Sequence, residues 1–191
     1  MEKHQAPVAT IDDETNNLIR LDKQIRLVCF KLGDHDYTVD AADTIEILRI
    51  VAVTALPDAP DFVAGIINLR GEIVPIIDLR LRFGLEQKLY SLNTPIIVVN
   101  SAGGTIGLIV DQVSEVITVF SSEIIPEHAV PNSRFVKGVV KHDDRLLLIT
   151  DADGLLDADE ERSIQQALGC QVRKQPELGG KITVEEFHKT G

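Results

Sequence analysis

Along most of the chain, apolar residues form short β-branched runs cut by Gly, Pro, Asn and Asp, and a helical pattern begins only near residue 157. The most informative stretch is FVAGIINLRGEIVPIID, residues 62–78. Val63, Ile66 and Ile67 precede the tetrapeptide Asn68-Leu69-Arg70-Gly71, and Ile73, Val74, Ile76 and Ile77 follow it. Branched side chains favour extended backbone, so the stretch predicts a hairpin. Gly71 supplies the positive φ of a short loop closing in a Gly bulge. Pro75 has no N–H for a ladder and predicts that the returning strand is at an edge or bulged there.

The same reading predicts strands over 27–32, 37–39, 44–53, 95–100, 105–119 (broken at Asp111-Gln112), 135–140 and 146–150. Turns are expected at 33–36, 101–104 and 142–144, and a loop at 56–60, where Pro57 and Pro60 stop any helix. Residues 79–85 read as one helical turn closed by Gly84. Asp157 with Glu160 three residues later is a capping-box pair opening a helix over 157–168, ahead of Gly169.

The chain repeats itself. A shift of 73 residues lays Phe62, Val63, Gly65, Ile66, Ile67, Ile73, Val74, Ile76 and Asp78 over Phe135, Val136, Gly138, Val139, Val140, Leu146, Leu147, Ile149 and Asp151 without a gap. Earlier in each half the shift is 69: Leu27 to Phe30 fall on Ile96 to Val99, and Glu46-Ile47-Leu48 on Glu115-Val116-Ile117. The second half therefore carries four extra residues (73 − 69), expected in a loop within 119–132. Such a repeat predicts two similar β modules, residues 25–93 and 94–156. A polar arm over 1–24, expected to be flexible with one helical turn near 15–21, and a polar tail over 169–191 flank them.

Composition narrows the chemistry. At ~150 residues a fold buries about 68 to 70% of its unfolded surface, so the two modules hold a core without metal or disulfide staples. With 30 Asp and Glu against 19 Lys and Arg, the net charge of −11 argues against nucleic acid and anionic lipid. No apolar run approaches the ~20 residues of a membrane span, and the N-terminus lacks the layout of a secretory signal, which predicts a cytoplasmic protein without direct membrane contact. Cys29 in a strand and Cys170 in the tail fit a reduced compartment.

Catalytic and cofactor motifs are not found. Asp151-Ala152-Asp153-Gly154 has Gly fourth rather than sixth and Arg162 rather than Glu at the twelfth position of a calcium loop, so helix capping is the simpler role. His4, His35, His128, His142 and His188 lack ligand spacing for zinc. There is no CxxC pair, nucleophile elbow or phosphate loop. Two charges stand out. Arg70, a solvated loop-tip residue on the simplest reading, aligns with Asp143, so the hairpin tips of the two copies differ in sign. Glu46 and Glu115 are instead an acid retained in both copies inside apolar strands, either as a structural partner for an Arg or as a binding group.

GIINLRGEIVPIIDLRLRFG (65–84), FKLGDHDYTVD (30–40) and IGLIVDQVSEVI (106–117) together resemble the bacterial chemotaxis coupling protein family CheW, over about residues 25–168. The resemblance implies an all-β fold of two SH3-like five-stranded barrels with a few short helices. It also implies an absence of catalysis and cofactors, and an adaptor that joins the cytoplasmic tip of chemoreceptors to the regulatory domain of the histidine kinase CheA. Such an adaptor is expected to be monomeric alone and to work within a receptor array. Carried over by position, the receptor-facing residues are Thr44, Glu46, Arg70, Val113 and Val116, in a groove between the barrels. Gly65, Asn68, Gly71 and Gly107 support partner contacts, and the kinase contact is an apolar barrel-end surface. The family usually has Val or Ile where this chain has Thr44, which implies a less apolar groove. Alternatives are a CheW-like module of another pathway, as in CheV but without its receiver, and a small β-barrel ligand binder. A receiver or ATPase domain of ~100 residues or more does not fit after residue 168, which favours a stand-alone adaptor.

Overall fold

The computed structural model describes residues 22–126 and 134–174. The strands are β1 (Gln24–Leu32), β2 (His35–Asp40), β3 (Thr44–Arg49), β4 (Val63–Leu69) and β5 (Glu72–Asp78), followed by the short helix α1 (Leu79–Arg82). Then come β6 (Pro95–Ser101), β7 (Gly104–Ile109), β8 (Gln112–Phe120), β9 (Ile125–Pro126), β10 (Val136–His142), β11 (Arg145–Thr150) and α2 (Ala158–Lys174). The fold is mostly β, in two sheets ordered β8-β1-β2-β11-β10-β9 and β3-β6-β7-β5-β4.

The repeat reappears in the fold. β2 moved on by 69 falls on β7, and β4 moved on by 73 falls on β10. The register follows it: β5 runs parallel to β7 with Ile76 opposite Gly107, and β11 runs parallel to β2 with Ile149 opposite Thr38, the repeat-related pair. Yet the sheets are not the sequence halves. β1 and β2 join β8 to β11, while β6 and β7 join β3 to β5, so each sheet draws strands from both halves. The chain crosses between sheets at residues 41–43 and again at 110–111, where Ala41 N donates to Arg26 O and Val110 N to Pro95 O, another repeat-related pair.

This exchange explains the continuous apolar runs. Leu27 and Cys29 of β1 face the interior of the first sheet with Ile117, Val119, Val140, Leu147 and Ile149. Val28, Phe30 and Leu32 point the other way, into a seam shared with Ile77, Ile97, Val99 and Leu108 of the second sheet and Val110 of the crossover. A strand buried on both faces has no polar side to display. Four of the six Phe residues, Phe30, Phe62, Phe83 and Phe135, pack at this seam. The Phe83 and Phe135 rings stack at 5.4 Å and Tyr37 meets Phe83 at 5.2 Å.

Several expected boundaries move. The strand expected over 44–53 ends at Arg49, and Thr54 instead pairs with Ile66 of β4. The hairpin loop is a two-residue turn in which Arg70 (φ 54°) as well as Gly71 (φ 93°) takes positive φ, and the bulge lies between Val63 and Gly65. β5 is interior in its sheet rather than at an edge, but its ladder with β7 covers only Ile76 to Asp78, so Pro75 sits where β5 has one neighbour. α2 runs through Gly169, since one glycine costs a helix only ~1 kcal/mol and the next breaker is Pro176. Part of the expected loop forms a 3-10 turn, Ser121–Glu123, and β9. Its remainder, residues 127–133, and the expectations for 1–21 and 175–191 lie outside the described residues.

α2 packs Ile164 and Ala167 against Leu56, Val63 and Phe62, and its first turn is tied to the seam by Glu160. Asp157 and Glu160 form the expected capping box: Glu160 N donates to Asp157 Oδ1 and Asp157 N to Glu160 Oε2, both at 2.9 Å. Glu160 also grips Arg82 of α1 bidentately at 2.7 and 2.6 Å. The Arg82 guanidinium lies 4.1 Å from the Phe62 ring centroid and 4.6 Å from that of Phe135, two repeat-related rings, with its side chain 6% exposed. Burial works to raise the Glu160 pKa, but the Arg82 bonds and the Asp157 N–H prevail and hold it below its ordinary 4.5.

Two predictions follow from this packing. Arg82→Ala is expected to lower stability at neutral pH by about 2 to 3 kcal/mol, because it strands a largely buried carboxylate and empties the slot between two rings. Since Glu160 is held low in the folded state, the pair's contribution is complete above pH 4.5 and is lost as pH falls through the depressed value. Urea unfolding at pH 7 and below pH 4 is therefore expected to show a smaller Arg82→Ala penalty in acid. Gly65 is the second case: a Cβ there would meet the Thr54 carbonyl oxygen at 2.2 Å, with φ at 143°. Gly65→Ala should cost about 2 kcal/mol in the same assay, and a neutral result would contradict this close approach.

Candidate functional site

The expected site residues lie on β3, on β8 and at the β4–β5 turn. β3 and β8 occupy the end positions of the two sheet orders and begin just after the two crossovers. Thr44 and Val113 are thus repeat-related residues beside the seam. Val113 is half-buried and packs on the shared core. The Thr44 hydroxyl donates to the Asp40 carbonyl oxygen at 2.9 Å, so its polarity is absorbed by the crossover it follows.

Glu46 and Arg70 are brought together across 24 residues of sequence by an Arg70 Nη2 to Glu46 Oε2 bond of 3.0 Å. Arg70 remains 77% exposed, held out at the turn by its left-handed backbone, while Glu46 is 21% exposed. The other Glu46 oxygen, Oε1, is covered and has no hydrogen-bond partner among the described residues. A buried unpaired acceptor is costly. Val116 is 57% exposed on β8. On β3, Ile45 and Ile47 also face outward, inverting the usual strand pattern.

The supporting residues divide by role. Asn68 Oδ1 accepts from Gly71 N at 2.8 Å, and both shape the turn that presents Arg70. Gly65 and Gly107 are buried, and each is a place of close packing, against the Thr54 carbonyl and against Ile76 respectively. Their side-chain-free positions serve the scaffold under the site.

The retained acid of the second copy also has an arginine: Glu115 accepts from Arg145 Nη2 at 2.6 Å. Sequence reasoning left the role of Glu46 and Glu115 open, and both turn out to be ion-paired. It missed Arg145 and Arg82, since partners 30 and 78 residues away leave no local signal. Beneath the Glu115–Arg145 pair, burial pushes the Cys29 thiol up to about 11, with the Glu115 charge adding to the effect, so this cysteine is a core residue rather than a nucleophile. The Asp78 carboxylate is fully buried, caps α1 by accepting from Arg80 N, and accepts the Tyr90 hydroxyl at 2.6 Å.

Two concavities lie away from these residues. One, of about 460 Å³, runs between α2 and the β6–β7 turn past Ile73, Pro75, Ile164 and Leu168. The other, of about 210 Å³, lies beside the Arg80–Asp111 pair and Tyr90. Among the described residues no group of three His, Cys, Asp or Glu is arranged to hold a metal ion. Nor is any helix there long and apolar enough to cross a membrane.

Comparison with known proteins agrees with this architecture. The chain is 37% identical over 134 residues to the chemotaxis protein CheW of Klebsiella aerogenes, covering 69% of this chain and 81% of that protein. It is 31% identical over 137 residues to the chemotaxis protein CheW of Helicobacter pylori, covering 71% and 83%. The crystal structure of the scaffolding protein TtCheW from Thermoanaerobacter tengcongensis superposes with a TM-score of 0.67 at 37% identity, over 72% of this chain and 96% of that one. The family model for the CheW-like domain matches residues 26–160, and with the interleaved two-sheet fold this establishes that the chain belongs to the CheW-like family.

Proposed function

We propose that this protein is a non-enzymatic adaptor of bacterial chemosensory signalling, working in the cytoplasm to couple chemoreceptor tips to the regulatory domain of the histidine kinase CheA. The observation that carries the reading is the Glu46–Arg70 pair joining edge strand β3 to the β4–β5 turn, with a largely solvated Arg and an unpaired covered carboxylate oxygen. The relatives named chemotaxis proteins, and the neighbour named a scaffolding protein, support it.

A chemoreceptor tip is a helical hairpin, and a helix docks by laying an apolar stripe along a surface with charged groups at its margin. Val113 and Val116 supply apolar area on β8, and Thr44 stands opposite in the repeat. Arg70 and Glu46 set register and encounter rate rather than bulk affinity. A helix carrying both charges satisfies this site: an acid for Arg70 and a donor for Glu46.

Arg70→Ala and Val116→Asp are each expected to weaken binding of a receptor cytoplasmic fragment by about tenfold, measured by titration calorimetry. Both positions are exposed, so the melting temperature should stay within about 2 °C of the parent. A variant that unfolds the domain while sparing binding in the folded fraction would refute the assignment.

A further inference from the structure

The two halves keep one polar feature in common on their edge strands. Glu46 and Glu115 are 69 residues apart, and each accepts from an arginine at the hairpin of its own sheet, Arg70 at 3.0 Å and Arg145 at 2.6 Å. The two arginines are not repeat-related. Arg70 aligns with Asp143 and Arg145 with Glu72, so two different backbone positions deliver the same partner to the same acid.

The pair in the second half guards an irregular piece of strand. The β1–β8 register shifts between Val28 and Phe30, opposite Val113 and Val116, so residues 113–116 form a bulge. Among the described residues β8 has β1 as its only ladder partner, and Ser114 Oγ adds one bond of 3.2 Å to the Cys29 carbonyl oxygen. A bulged edge with one neighbour is where register is least secure, and a slip of one residue would turn Val116 to the opposite face. Arg145 reaches this bulge from β11 and bonds Glu115, the residue before Val116. The bond is also the main influence raising the Arg145 pKa.

We infer that Arg145 is a positioning residue for receptor binding: through Glu115 it pins the β8 bulge so that Val113 and Val116 are presented to the helical partner. This rests on the receptor-site reading above.

The test is a double-mutant cycle on the full chain with a receptor cytoplasmic fragment. Arg145→Ala should weaken binding about three- to fivefold, and Glu115→Ala similarly. Arg145→Lys, which keeps one charged bond, should recover much of the loss. In a Val116→Ala background Arg145→Ala should have little further effect, because its action passes through Val116. Additive losses, or unchanged affinity for Arg145→Ala where Arg70→Ala still loses binding, would overturn the inference and leave the site standing. Unchanged affinity for Arg70→Ala would instead overturn the site reading, and this inference with it.

Discussion

A crossover of the chain between two sheets is the constraint on which everything else in this molecule depends. Because β1 and β2 complete the sheet of β8 to β11, and β6 and β7 complete that of β3 to β5, neither half of the sequence closes a sheet alone. The exchange places Val28, Phe30, Ile97 and Val99 between the sheets, buried on the side that would otherwise be an outer surface. The apolar area at the seam therefore belongs to folding and is not available for binding. The surface proposed for partners is instead the edge: β3 and β8, which begin where the chain emerges from each crossover.

Arg82 is the complement of that constraint. It sits between the repeat-related rings of Phe62 and Phe135 and holds Glu160, so one guanidinium joins both halves and the helix that follows them. Arginine is suited to the position because its flat, weakly hydrated fork stacks on rings while donating in plane to a carboxylate. Rigidity at the seam matters for the edges. Strands β3 and β8 have few neighbours of their own, and the Glu46–Arg70 and Glu115–Arg145 bonds work only if the hairpins that carry the arginines are fixed relative to the strands that carry the acids.

Much of this was legible in the residues, and the part that was not has a physical reason. Short β-branched runs located the strands, the 69 and 73 residue shifts reappear as matched registers, and Asp157 with Glu160 marked the start of α2. Repeat similarity fixes which strands are alike but not which lie side by side, so the pairing of β1 with β8 was hidden. The same blindness applies to long-range ion pairs: Arg82 and Arg145 look like ordinary surface charges until the fold brings Glu160 and Glu115 to them. Arg70 was singled out by a sign difference between hairpin tips; it is exposed at the turn, as a solvated loop-tip residue would also be, and its bond to Glu46 was not legible in the sequence.

The proposed functional surface is the pair of edges flanking the seam, and not either concavity. The most direct measurement is a residue-resolved NMR titration of the full chain with a chemoreceptor cytoplasmic tip fragment. The account predicts that the largest shift changes fall on Thr44, Glu46, Arg70, Val113 and Val116, with amides of Ile77 and Leu108 in the seam core nearly still. Changes concentrated instead on Ile164, Leu168 and Ile73, along the α2 groove, would contradict it.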